Sequence, residues 1–217
     1  MLQNINLFLH IFCGIVAILV GIFPYFTQKG GRNHALSGRL FLALMGVVIF
    51  TAFAGVLFFR DRPFLTIVTL LSTYTSYSGY RVLKTKDRGF ERQDVTFMLF
   101  VLSMTLYFIF RFQTANVVWH ISVVYYLIAY VFLIVGFDLL RYFFPKITPQ
   151  KGFWLYEHIY KMTSSFSALI SAGAGSLLVA YEPYNQIIPA IFGTVWLIFS
   201  LVYFPIKMKR KKKLVTA

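Results

Sequence analysis

Four histidines, His10, His34, His120 and His158, are the residues of this chain whose type and spacing could hold a metal or a haem. Imidazole is a common metal ligand, and two imidazoles facing each other across a helical bundle hold the iron of a six-coordinate b-type haem. His10-Ile11-Phe12-Cys13-Gly14 and His34-Ala35-Leu36-Ser37-Gly38 both read H-x-x-x-G. That spacing sets Gly14 and Gly38 one helical turn from their histidines, on the same face, where a missing side chain leaves room for a flat porphyrin. Arg39 and Lys161 are candidate partners for haem propionates. The alternative is that each histidine donates to a backbone carbonyl or caps a helix end and that the glycines only pack. Cys13 is the single cysteine, so an intrachain disulfide and a C-x-x-C motif are excluded. Its place three residues after His10 offers at most a soft ligand for copper. The histidines are too far apart in sequence to form the clustered boxes of di-metal desaturases; H-E-x-x-H, G-x-S-x-G and a glycine-rich phosphate loop are also missing.

The elements that must position these residues are transmembrane helices. Of the 217 residues 59% are apolar and 13% are charged. A soluble domain has roughly 45–50% apolar and about 25% charged residues. Apolar runs occur at about 5–26, 36–59, 63–83, 94–110, 117–140, 153–180 and 187–206. Each is long enough to cross a hydrocarbon core of about 30 Å as a helix. Turn-forming or charged segments such as Lys29-Gly30-Gly31-Arg32-Asn33 and Glu182-Pro183-Tyr184-Asn185 separate them. The expectation is an all-α bundle of seven transmembrane helices over 1–206, followed by a basic tail over 207–217. No Lys or Arg precedes the first run and no small-residue cleavage site follows it, so it reads as a span and not as a cleaved signal.

The net charge of +14 would suggest a nucleic-acid partner in a soluble protein. Sorted by alternate loops, 18 of the 21 basic residues fall on one side; only Arg60, Arg62 and Arg111 fall on the other. The positive-inside rule then places the C-terminus in the cytoplasm and the N-terminus outside, in a membrane of the bacterial inner type. The run Lys207 to Lys213 reads as a stop-transfer signal and an anchor to anionic lipids, with no nucleic acid implied. In this topology His10 and His120 share an outer depth and His34 and His158 an inner one, so the chain offers two histidine pairs.

Polar residues inside the spans are informative because a buried charge costs roughly 2.5–3.5 kcal/mol or more in a bilayer. The third span carries Thr73 to Ser78 as an unbroken hydroxyl run, and the sixth carries Ser164, Ser165, Ser167, Ser171, Gly173, Gly175 and Ser176. Helix–helix glue is the simpler reading of the third span and a lined cavity the other; the small residues of the sixth suit close approach of a helix or a flat ligand to the backbone, or packing alone, about equally well. Asp138 has Arg141 at i+3 and Glu157 has Lys161 at i+4. These spacings predict local ion pairs near the cytoplasmic ends of spans five and six, or a proton relay.

The stretch from His10 through Gly14, Gly21, His34 and Gly38-Arg39 to Met45, and the later block His158-Ile-Tyr-Lys-Met162, together resemble the bacterial membrane-protein family called domain of unknown function 2306. That resemblance covers parts of spans one, two and six, about a third of the chain. It implies the membrane fold and marks the histidines, and it carries no reaction. Ile159 and Tyr160 stand where the family has basic residues. A more distant architectural similarity is to the di-haem transmembrane cytochromes b. Two functions follow as expectations. One is a haem- or metal-binding electron-transfer protein with His10, His120, His34 and His158 as axial ligands. The other is a non-enzymatic small-solute transporter or assembly factor with structural histidines.

Overall fold

The computed structural model describes residues 1–59, 62–114, 121–147 and 151–215, with side chains for all but 121–122 and 208–215. Seven α-helices account for nearly all of these residues: α1 (Leu2–Phe26), α2 (Arg32–Phe58), α3 (Pro63–Thr85), α4 (Arg92–Thr114), α5 (Ile121–Phe143), α6 (Phe153–Leu177) and α7 (Tyr184–Val215). No strand occurs among the described residues. Several helices run past the apolar windows into polar ends, since Arg32, Arg92 and Lys84 suit a helix terminus in the aqueous interface as well as apolar residues suit its middle. The basic tail continues α7 to Val215 as a helix. Helix α6 stops earlier than expected, at Leu177, just beyond its glycine- and serine-rich turn.

Five of the seven, α1, α2, α4, α5 from Val123 and α7 as far as Lys207, are long and apolar enough to cross a membrane. The two that are not, α3 and α6, are the polar ones, and they occupy the centre. Helix α3 packs against α2, α4, α5 and α6, and α6 packs against α1, α3 and α7. Polar helices can sit in an apolar solvent only if other helices keep that solvent away. The outer helices do so at the cost of their own exposure: Phe8, Phe23, Phe192 and Val195 all stand out from the bundle, Phe192 with 68% of its surface exposed. A girdle of such residues would drive aggregation in water, and it suits lipid contact.

Two apolar clusters flank the central pair. One joins α3, α4 and α5 through Leu70, Tyr74, Val101, Phe108 and Val131; the other joins α1, α2 and α6 through Ala17, Phe41, Met45 and Phe166. Close approaches hold them together. A Cβ on Gly21 would lie 2.7 Å from the Phe166 ring, one on Gly193 2.7 Å from Ser167, and one on Gly79 3.1 Å from both Lys161 Cβ and Met162 Sδ. Small residues at helix crossings let backbones approach in lipid, where no hydrophobic force pulls helices together. The hydroxyl run of α3 acts as glue. Thr69, Thr73 and Thr75 donate to carbonyls four residues back, while Ser76 bonds Ser165 across to α6 at 2.6 Å.

Candidate functional site

The i+3 and i+4 pairs expected on α5 and α6 are present, and they are joined. Arg141 on α5 reaches Asp138 at 3.3 Å and Glu157 of α6 at 3.1 Å; Lys161 on α6 reaches Glu157 and Asp138, each at 2.5 Å. The result is a closed ring of alternating charge, Asp138–Arg141–Glu157–Lys161, spanning two helices. All four side chains are buried, with Lys161 only 1% exposed. Formal charge sums to zero around the ring, which is what permits it in an apolar bundle: each ion lies against two of opposite sign.

Helix α3 completes the site. Tyr74, also 1% exposed, donates its phenol hydrogen to Asp138 Oδ2 at 2.5 Å, and Ser78 accepts from Lys161 at 2.5 Å. These two residues are four apart, so both project from one face of α3 toward the ring. Phe90, in the loop between α3 and α4, lies 5.1 Å from the Arg141 guanidinium and 5.2 Å from the Lys161 ammonium, with Phe153 also 4.8 Å from Arg141. The turn that delivers Phe90 needs Gly89, which has a φ of 81°. Side-chain-bearing residues rarely adopt that conformation. Asp87 in the same loop accepts from the Gly152 backbone N–H at 2.8 Å, tying it to the start of α6. One buried donor of the ring remains without a partner among the described residues, Arg141 Nε.

A second ionic site braces the same end of the bundle. Arg81 of α3 binds Asp94 at 2.6 Å and Glu91 at 2.7 Å. Asp94 also accepts the Glu91 backbone N–H at 2.9 Å, reaching back to cap the start of α4. The Arg81 guanidinium and Gln93 hold the exposed Glu91 carboxyl below its ordinary range. In the loop between α1 and α2, Lys29 donates to the Pro24 carbonyl and lies 3.8 Å from the Phe204 ring of α7. Burial, reinforced by the charge of Lys207, lowers the Lys29 ammonium to about 8.

The described histidines each face a backbone carbonyl through Nδ1. His10 meets Val48 at 3.2 Å and the Thr51 hydroxyl at 2.9 Å; His34 meets Pro24 at 3.2 Å; His158 meets Gly79 at 2.9 Å. A carbonyl can only accept, so Nδ1 carries the hydrogen and Nε2 is left with its lone pair in the neutral ring. His10 thereby pins α1 to α2, His34 pins α2 to the end of α1, and His158 pins α6 to α3. His120 lies outside the described residues. Open space lies beyond the Cα atoms of Gly14 and Gly38. Arg39 is exposed, and Lys161 belongs to the ring. Among the described residues no three His, Cys, Asp or Glu side chains gather as a metal cluster. Compared with protein-family models, curated proteins and solved structures, the chain has no match.

Sequence spacing revealed each half of the ring but not its closure, nor the part played by Tyr74 and Phe90. A ring closed by mutual charge has a clear energetic signature. Lys161→Met leaves two buried carboxylates against one guanidinium and should destabilise the protein by about 3–5 kcal/mol. Replacing all four members together (Asp138→Leu, Arg141→Met, Glu157→Leu, Lys161→Met) should cost less than that single change. Denaturation in detergent micelles compares them, and a Lys161→Met loss below about 1 kcal/mol would contradict the closed ring.

Proposed function

We propose that this integral membrane protein crosses the bilayer seven times, with its N-terminus outside and its C-terminus in the cytoplasm, and carries a small organic anion together with a proton. The observation that supports this reading is the buried, neutral four-charge ring. Ionisable residues inside a membrane bundle are costly, and a purely structural role could be filled by apolar residues of similar volume, often with a gain in stability. The ring has a property that an apolar core lacks: its charge balance changes by one unit on binding a proton.

When Asp138 is protonated, Lys161 loses one of its two counter-ions and Tyr74 loses a charged acceptor. The ring then carries one net positive charge, a state that burial disfavours. A small carboxylate entering beside Lys161 and the unpartnered Arg141 Nε restores neutrality. Return of the proton to water makes the ring self-sufficient again and displaces the anion. Proton and anion therefore move together, and no net charge crosses the membrane. In this mechanism Tyr74 and Ser78 hold the ring members in register, and Phe90 with Phe153 keeps water from Arg141 and Lys161.

Proteoliposomes containing a trapped pH dye test the coupling. External lactate or pyruvate, each a monoanion, should acidify the lumen at least about tenfold faster than in protein-free vesicles, independently of an imposed membrane potential, and Asp138→Asn should abolish the effect. Rates equal to those of protein-free vesicles for both anions would count against the carrier.

A second reading is favoured by the histidine geometry. Nδ1 bound to a carbonyl and Nε2 free is the arrangement that orients an imidazole for iron. His34 and His158, with His10 and His120 as the outer pair, would hold haem b, and Arg39 would meet a propionate; the group would supply one-electron redox chemistry. This reading also accommodates the resemblance to the domain of unknown function 2306 and, architecturally, to di-haem cytochromes b. Protein purified from haem-replete cells should then show a Soret band that is lost in His34→Ala and His158→Ala; a colourless preparation would reject it.

A further inference from the structure

A groove of about 510 Å³ opens along the outside of the bundle between α2 and α3, with Phe97 of α4 at one edge. Its walls are mostly apolar, with Leu42, Gly46 and Ile49 from α2, and its polar groups include Arg39, Tyr77 and Tyr80. Arg39 and Ile49 are ten residues apart on α2, about 15 Å of helix rise, which matches one leaflet of a hydrocarbon core about 30 Å thick. Arg39 lies about two turns from the cytoplasmic start of α2, and Tyr80 about one and a half turns from the cytoplasmic end of α3, so both stand near the headgroup level of the inner leaflet. Lys84 adds a second cation beside the mouth, its ammonium 4.8 Å from the Tyr80 ring.

Charge distinguishes this groove from an ordinary lipid-facing crevice. Arg81, one turn from Tyr77 on the same helix, is neutralised by Asp94 and Glu91. Arg39 has no carboxylate within ion-pair reach among the described residues, and it is exposed at the end of an apolar channel. A guanidinium so placed in the interface seeks a phosphate, which it can bind through two parallel N–H donors. Gly46, at mid-groove, has open space where its Cβ would be, which leaves the channel floor clear for a chain.

We infer that the groove between α2 and α3 is a binding site for one anionic phospholipid of the inner leaflet, its phosphate on Arg39 and one acyl chain along Gly46 and Ile49 against Phe97. The inference rests on the cytoplasmic placement of Arg39 and is independent of what the charge ring does. Tyr77 and Tyr80 supply hydroxyls at the headgroup, and Lys84 favours a net negative lipid over a zwitterionic one.

Native mass spectrometry of the delipidated full chain, titrated with phosphatidylglycerol or with phosphatidylcholine of the same chains, tests this directly. The expected result is one retained phosphatidylglycerol at an affinity about tenfold above phosphatidylcholine. Arg39→Gln should erase that preference. Gly46→Phe, which fills the channel from an exposed position, should weaken phosphatidylglycerol without creating a preference for phosphatidylcholine. Circular dichroism of both variants should match that of the parent chain. Equal affinity for the two lipids, a preference that survives Arg39→Gln, or indifference to Gly46→Phe would overturn the site. Glycerol phosphate, which has no chains, should bind far more weakly; if it binds as well as the lipid, Arg39 is a free-anion site and the lipid assignment fails.

Discussion

Four charges buried in an apolar bundle are tolerable only if they cancel, and the arrangement of the helices follows from that condition. Asp138 and Arg141 are fixed on one helix, Glu157 and Lys161 on another, so cancellation requires the charged faces of α5 and α6 to turn toward each other beside α3. Helix α3 must then present Tyr74 and Ser78 at the same level to satisfy the remaining lone pair and hydrogen. With α3 and α6 carrying much of this polar core, neither can turn its polar face to lipid, and the five helices apolar enough to cross a membrane shield them. The exposed aromatic girdle of α1 and α7 is the far consequence of a charge balance at the centre.

The close approaches serve the same end. Gly79 lets the backbone of α3 come within van der Waals distance of Lys161 and Met162, and only at that distance can Ser78 reach the ammonium. The loop between α3 and α4 is held on three sides: Arg81 binds Glu91 and Asp94, Asp87 binds the start of α6, and Gly89 turns the chain. Its product is the position of Phe90 beside both cations. Aromatic faces there lower the cost of desolvating Arg141 and Lys161 without adding a charge that would unbalance the ring.

Much of the fold was legible in the residues because hydrophobic run length is a one-dimensional property. The apolar windows correspond to the seven helices; most fall short at one end or both because polar residues such as Arg32 and Arg92 continue a helix without adding to hydropathy, while the sixth overruns Leu177. The hydroxyl run Thr73 to Ser78 was legible as glue, since Thr and Ser can bond locally or to a neighbour. The site was legible only in part. Spacing along one helix revealed Asp138 with Arg141 and Glu157 with Lys161, but whether the two pairs meet depends on how α5 and α6 rotate about their axes. That rotation is set by contacts with α3, far away in the chain. Tyr74 stood among six consecutive polar residues with nothing in its type to separate it from Tyr77, whose ring lies 4.0 Å from that of Phe97.

The histidines illustrate the same limit from the other side. Their expected depths come from topology alone, and depth does not say which way a ring turns. His10, His34 and His158 turn Nδ1 toward carbonyls of neighbouring helices, so each is at once a crosslink and an oriented base. The charge ring, in contrast, has a chemical state that can be read directly. Infrared difference spectroscopy of the full chain in lipid, recorded as the medium is acidified, tests whether the ring takes up a proton. The account predicts a carboxylic acid C=O band that appears with acidification, shifts on deuteration and is missing in Asp138→Asn. A spectrum in which the same band persists in Asp138→Asn and in Glu157→Gln would show that the ring is an inert brace and would contradict it.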